Sequence, residues 1–341
     1  MAPPSTRRVR PAYPRDVPTV SARPLPTPAA VWSTPMTTRF RGITTRDGVL
    51  LRGDAGWGEF SPFWDYDAAE CAPWLAAARE ATDEGWPAPV RDRVPVNVTV
   101  PAVGPEQAAA IVAASDGCRT AKVKVAEPGQ DLAAEQARLE AVRDALGPGG
   151  KVRIDANAAW DLETALARLP LLDRAAGGLE YAEQPCADVA DLAALRRRTE
   201  VPIAADESIR RAADPLAVRR AEAADVVVLK VQPLGGVRAC LRLAEEVGLP
   251  VVVSSALESS VGIAAGVALA AALPELHHAC GLGTVRLLER DTVPDPLVPR
   301  GGYLPVTVPE PTAQSLAAVA APPQVRERWR DRLRDVAGAA R

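Results

Sequence analysis

From Val94 onward the apolar positions fall into short β-branched runs separated by longer stretches in which Ala, Leu and Arg recur at helical spacing. The runs are Val94 to Val100, Thr120 to Val125, Val152 to Asn157, Leu179 to Pro185, Pro202 to Ser208, Val226 to Pro233, Val251 to Ser259 and His277 to Thr284. Between them the spacing predicts helices at Pro105 to Ser115, Asp131 to Leu146, Asp161 to Ala175, Asp188 to Thr199, Asp214 to Ala223, Gly236 to Val247 and Val261 to Leu273, several opened by an Asp in N-cap position. Eight strands joined by helices predict an α/β chain whose residues 94–307 close into a (β/α)8-type barrel. An open doubly wound sheet is the structural alternative. It is disfavoured because no Gly-x-Gly-x-x-Gly follows the first strand and because polar residues gather at the ends of many strands.

Residues 31–93 read differently, as strand-like pieces around turns followed by a helical segment, Asp67 to Ala81. Five of the seven tryptophans lie here and are read as core, giving an N-terminal α+β capping domain. Residues 308–341 form a C-terminal segment with a closing helix, Gln324 to Ala339, whose stripe of Val325, Trp329, Leu333 and Val336 is expected to lie on the barrel. The first 30 residues hold eight of the 33 prolines, five arginines and one acid, Asp16, and are expected to be a disordered Pro/Arg-rich extension. They contain no apolar h-region, so they are not read as a secretory signal.

Composition narrows the function. A net charge of -3 and a pI near 5.7 give no basic footprint for nucleic acid. The longest apolar stretch, Val261 to Leu273, falls short of the roughly 20 residues that span a bilayer. The expectation is a cytoplasmic protein with a small-molecule carboxylate substrate and neither a nucleic-acid nor a membrane partner. Five scattered cysteines read as reduced and mostly buried, and His277 and His278 are the only histidines. Any metal must then be held by carboxylates.

Only four of the 40 cationic side chains are lysine: Lys122, Lys124, Lys151 and Lys230. Lys122 and Lys124 end the second strand on one face, and Lys230 ends the sixth. Adjacent strands of such a barrel are about 45° apart around its axis, so Lys124 and Lys230 should face each other across the mouth. Asp155, Glu183 and Asp206, on strands three, four and five, fall on the arc between them. Three oxygen donors on successive strands suit Mg2+, with Mn2+ possible. A carboxylate substrate on that ion has a more acidic α-proton, which one lysine can take while the other stabilises the enediolate. Arginine holds its proton too firmly for this task.

These residues resemble the enolase superfamily, muconate-lactonising subgroup: Lys122-x-Lys124, Asp155-Ala-Asn157, Glu183-Gln184-Pro185, Asp206-Glu207-Ser208 and Lys230, within a match running from about Val31 to Thr307. The segments Ser254 to Ser260, Gly281-Leu282-Gly283-Thr284, Phe40-Arg41-Gly42 and Gly56 to Pro62 are similar to o-succinylbenzoate synthases of the short actinobacterial type. The resemblance implies a syn dehydration of 2-succinyl-6-hydroxy-2,4-cyclohexadiene-1-carboxylate in menaquinone biosynthesis. It also implies Asp155, Glu183 and Asp206 as Mg2+ ligands, Lys124 as base and then acid, and Lys230 as a protonated partner on the opposite face.

Lys122, Arg153, Asn157, Ser254, Ser255 and Gly281 become candidate substrate contacts. Each has a plainer reading. Arg153 equally fits a pair with a buried carboxylate, Asn157 and Glu207 fit roles that orient their neighbours, and the serines fit caps of the next helix. Lys122 is further expected to depress the pKa of Lys124, while Arg39 and Arg41 are candidates near the lid. An N-acylamino acid racemase would use the same two lysines, one on each face of the α-carbon. Dipeptide epimerisation is disfavoured because strand eight lacks Asp-x-Asp, and lactonisation is disfavoured by the same strand. A non-catalytic barrel would be expected to lack one of the five charged groups, and all are present.

Overall fold

The structure, a computed structural model, describes residues 27–339. The capping region opens with an antiparallel sheet in the order β1 (Thr27–Phe40), β2 (Ile43–Arg52), β3 (Trp57–Phe60). The predicted extension lies outside the described residues up to 26, but its last four residues belong to β1, where Thr27 pairs with Arg52 and Pro28 with Leu51. Proline is tolerated there because β1 is an edge strand and a register shift follows Pro28. Helix α1 (Ala68–Arg79) starts on a capping box between Asp67 and Glu70, and a π turn (Glu80–Glu84) ends it.

The barrel follows. Its elements are β4 (Arg93–Pro95), β5 (Val98–Val100), α2 (Pro105–Ala113), β6 (Thr120–Lys124), α3 (Leu132–Leu146), β7 (Lys151–Asp155), α4 (Leu162–Ala175), β8 (Leu179–Glu183), α5 (Val189–Arg196) and β9 (Ile203–Ala205). Next come α6 (Glu207–Arg210), α7 (Ala217–Arg220), β10 (Val226–Lys230), α8 (Val237–Val247), β11 (Val251–Ser254) and α9 (Ser260–Ala272). β12 (Tyr303–Pro305), α10 (Ala313–Ala318) and α11 (Pro323–Ala339) complete the chain. Strands β5 to β11 form one parallel sheet in sequence order.

Two departures from the predicted pattern concern the sheet. The first run splits, and β4 leaves the barrel to pair with β12. The eighth position holds a two-residue link in place of a strand: Cys280 bridges to Val96, Gly281 bridges to Ser254, and a 3-10 turn (Gly283–Leu287) follows at once. Four backbone hydrogen bonds close the ring there, with Cys280 N–H to Pro95, Asn97 N–H to Cys280, Gly281 N–H to Val253 and Ser255 N–H to Gly281. The link is narrow because a Cβ on Gly281 would meet the Ser254 Oγ at 2.5 Å.

Helix α11 also departs from expectation. Trp329, Leu333 and Val336 pack with Phe60, Trp74 and Leu75 of the capping region, so the apolar stripe completes that core more than the barrel's. Trp329 meets the edge of Phe60 and donates Nε1–H to Asp47 at 3.0 Å.

The capping region in turn holds two barrel helices. Neither α8 nor α9 has a capping side chain of its own. Glu80 accepts the N–H groups of Val237 and Arg238 at the start of α8, and Glu59 accepts those of Ser259 and Gly262 at the start of α9. Each carboxylate satisfies orphan donors at the positive end of a helix. Among the described residues no helix is long and apolar enough to cross a membrane.

Candidate active site

The period of two brings every second side chain of β6 to β11 to the inside of the barrel. Lys124 is in register with Asp155, and Asp155 with Glu183. Asp206 follows β9 directly, and Lys230 ends β10 beside Ser254. Below these polar groups, Tyr181, Ala204, Val226, Val228 and Val252 fill the interior. A cavity of about 670 Å³ opens above them, lined by Lys122, Lys124, Asp155, Asn157, Lys230 and the Ser254 to Leu257 loop.

Asp155, Glu183 and Asp206 are at most 1% exposed, so their charges require partners. Lys122 Nζ donates to Asp155 Oδ2 at 2.9 Å and to Glu183 Oε1 at 2.8 Å. Lys124 Nζ donates to Asp155 Oδ2 at 2.6 Å, and Lys230 Nζ to Asp206 Oδ2 at 2.7 Å. Burial alone would raise every carboxyl here. Against it, Lys122 and Lys124 hold Asp155 below the usual carboxylate range, and Arg210 and Lys230 bring Asp206 down to about 2. Glu183 goes the other way: burial, with Asp155 beside it, pushes it up to about 7. Lys122, despite its own burial, is pulled well above the ordinary lysine value by Asp155 and Glu183.

Among the described residues no three His, Cys, Asp or Glu side chains converge on one point. The Lys122 ammonium stands between Asp155 and Glu183. The donor chemistry nevertheless fits: three buried carboxyl groups follow one another around the mouth. A cation seated among them would compete with the Lys122 ammonium for Asp155 and Glu183.

The remaining candidates separate by depth. Asn157, in the left-handed region with φ 47°, accepts from Lys124 Nζ and donates to Glu207 Oε1 at 3.3 Å. Ser254, Ser255 and Gly281 line the cavity, and Ser255 Oγ lies 2.8 Å from Thr284 Oγ1. Arg153 is not at the mouth. It is fully buried on the floor, where Nε donates to Glu180 at 2.5 Å and Nη1 to the Ala279 carbonyl at 2.7 Å, and its guanidinium lies over Tyr181. Lys122 is in register with Arg153 and still reaches the cavity, so the level along the strand does not exclude Arg153; its guanidinium is instead held on the floor by Glu180, the Ala279 carbonyl and the Tyr181 ring. Its place among the substrate contacts is therefore corrected. Lys151 and His278 share Glu180 with it, and His277 pairs with Glu275 at the surface.

Phe63, Tyr66 and Arg210 are among the cavity residues that the sequence did not single out. Tyr66 and Phe63 come from the loop before α1, close to Arg41, whose guanidinium lies 3.8 Å from the Phe63 ring centroid. Arg210 donates Nε–H to Asp206 Oδ1 at 2.9 Å, Nη2–H to Glu207 Oε1 at 2.7 Å and Nη1–H to Tyr66 Oη at 3.0 Å. Its signal was present in the i,i+4 and i,i+3 spacings from Asp206 and Glu207, although only a helix starting at once after the strand makes those spacings meaningful.

The chain is similar to known proteins over most of its length. The family described as "Enolase C-terminal domain-like" matches residues 105–312, and "Enolase N-terminal domain-like" matches residues 31–82. An o-succinylbenzoate synthase of Thermobifida fusca (strain YX) is 68% identical over 299 residues, covering 88% of this chain and 92% of the relative. That of Mycobacterium tuberculosis (strain ATCC 25618 / H37Rv) is 56% identical over 300 residues, covering 88% and 90%. A solved structure of muconate lactonizing enzyme from Pseudomonas fluorescens, complexed with muconolactone, shares the fold at a TM-score of 0.74 and 22% identity, covering 86% of this chain and 97% of that one. On this sequence identity and this fold, the chain belongs to the o-succinylbenzoate synthase family of the enolase superfamily.

Proposed function

We propose that the chain eliminates water from 2-succinyl-6-hydroxy-2,4-cyclohexadiene-1-carboxylate, giving 2-succinylbenzoate, with both the proton and the hydroxyl leaving from one face. The observation that carries the reading is the pair of lysines, Lys124 and Lys230, held at one barrel mouth beside three buried carboxylates. Mg2+, or Mn2+ in its place, held by Asp155, Glu183 and Asp206, would supply Lewis-acid stabilisation of the charge that develops on the substrate carboxylate.

Lys124 takes the α-proton as a neutral amine, and the same nitrogen then gives a proton to the departing hydroxyl. Its net protonation is unchanged after one turnover. Contacts to Asp155 and Asn157 aim that nitrogen. Lys230, anchored on Asp206, remains protonated and faces the enediolate from the other side. The C–H and C–O bonds break and the ring becomes aromatic, which supplies most of the driving force. A small-molecule carboxylate is the only partner this chemistry needs.

Lys124→Ala tests the assignment. Loss of a general base typically costs about 10²–10⁴ in rate, so the variant should lose at least that much dehydration while keeping the parent's circular dichroism. Incubating the parent with an N-succinyl amino acid in D2O, in parallel with the cyclohexadiene, separates dehydration from racemisation. Efficient α-deuteration with negligible dehydration would sink the proposal.

A further inference from the structure

Asp206 is bound from two sides. Its Oδ2 accepts from Lys230, and its Oδ1 accepts from Arg210, one turn further along the chain on α6. The Arg210 side chain is 9% exposed and its guanidinium has three fixed partners: Asp206, Glu207 and, from the capping region, Tyr66. A planar fork held at three corners cannot turn away from one partner without losing another. Glu207 is itself held by Asn157, which also accepts from Lys124. A continuous chain of hydrogen bonds thus runs round the mouth from Lys124 through Asn157, Glu207, Arg210 and Asp206 to Lys230.

We infer that Arg210 is a positioning residue that reserves Oδ1 of Asp206 and so tunes the carboxylate site toward Mg2+ and against Ca2+. The inference rests on the reading of Asp155, Glu183 and Asp206 as cation ligands. Ca2+ gathers about six to eight oxygens and readily takes both oxygens of one carboxylate, whereas Mg2+ demands six at close to octahedral angles and takes one from each. With Oδ1 held by the three-cornered guanidinium and Oδ2 by the single, flexible Lys230 ammonium, Oδ2 is the oxygen that Asp206 can turn to a cation at least cost, and chelation by both would break the Arg210 contact. Glu207 and Tyr66 resist that break by holding the guanidinium in place.

The test is calorimetric titration of the metal-free full chain with MgCl2 and with CaCl2, for the parent, Arg210→Met, Arg210→Lys and Asp206→Asn. Removing a nearby positive charge strengthens both cations alike, so the ratio of the two affinities reports the geometry. The Ca2+-to-Mg2+ affinity ratio should rise by about fivefold or more in Arg210→Met, because Oδ1 becomes free. Arg210→Lys should move the ratio in the same direction, since an ammonium keeps the charge but cannot hold Asp206, Glu207 and Tyr66 in one plane. It also serves if the methionine variant fails to fold. A ratio within about twofold of the parent's in either folded variant overturns the inference. Cation binding that survives Asp206→Asn unchanged overturns the ligand reading itself, and this inference with it.

Discussion

Lys122 shows how one side chain can serve and obstruct a site. Its ammonium neutralises Asp155 and Glu183, both buried, and takes the contacts for which a cation would compete. Removing one partner of a buried ion pair typically costs about 3–5 kcal/mol, because the remaining charge is left uncompensated. Lys122→Met should therefore lose about 3 kcal/mol in the metal-free protein, measured by urea unfolding. Added Mg2+ should return more stability to this variant than to the parent, because the ion no longer competes with an ammonium. Equal Mg2+ stabilisation of both proteins would show that Lys122 and the cation do not compete. At this scale the sequence was readable through scarcity. With four lysines among 40 cations, the three at strand ends stood out, whereas Arg210 was one of 36 arginines and carried no contrast. Arg153 was ambiguous for another reason: alternation gives the face of a strand but not the partners, and Glu180 with the Ala279 carbonyl turns its guanidinium to the floor while Lys122, at the same level, reaches the cavity.

Among the elements, the helix starts divide into those legible locally and those that are not. Asp131 and Asp161 cap α3 and α4 through the N–H groups of Ala134 and Thr164, as the Asp-led pattern predicts. Asp188 precedes α5 without such a bond, and Asp214 turns toward the Leu216 N–H and the Arg220 side chain, leaving α7 only four residues long. The caps of α8 and α9 come from Glu80 and Glu59, 157 and 200 residues away in sequence, which no local pattern can reveal. Glu80 is mostly buried against the Val237 and Arg238 N–H groups and the Arg238 side chain. Losing a cap usually costs about 0.5–2 kcal/mol, and the buried setting puts Glu80→Ala at the upper end, about 2 kcal/mol. The urea midpoint should fall at an unchanged m-value, whereas Glu80→Gln, which keeps an acceptor, should lose less than half as much. Identical losses for both variants would argue against a capping role. The eighth strand was overread for a different reason: His277 to Thr284 has only Thr284 as a β-branched residue, and Gly281 against Ser254 leaves room for a two-residue link alone.

The whole molecule is organised so that the capping region and the barrel share one set of buried polar contacts at the cavity. Arg46 of β2 is 3% exposed and donates Nε–H to the Leu257 carbonyl at 3.0 Å and Nη2–H to the Ala256 carbonyl at 3.3 Å; it also binds Ser61 and the Asp47 carbonyl. Ala256 and Leu257 line the cavity on the loop after β11, and Leu257 sits in the left-handed region with φ 65°, a conformation that side chains such as leucine seldom adopt unaided. Arg46 thus helps to hold the loop in that shape from the capping region, beside Glu59 on Ser259. Arg46→Met leaves two loop carbonyls and Ser61 without their donor, a loss of about 2–4 kcal/mol in unfolding free energy. Its kinetic signature should be selective. Neither Lys124 nor Lys230 touches Arg46, so kcat should stay within about threefold of the parent, while KM rises about tenfold or more as the loop relaxes. Steady-state dehydration kinetics with varied cyclohexadiene check both numbers. A matched fall in kcat at constant KM would mean that the loop acts on the transition state alone, and that the capping region contributes to the chemical step more than to the shape of the cavity.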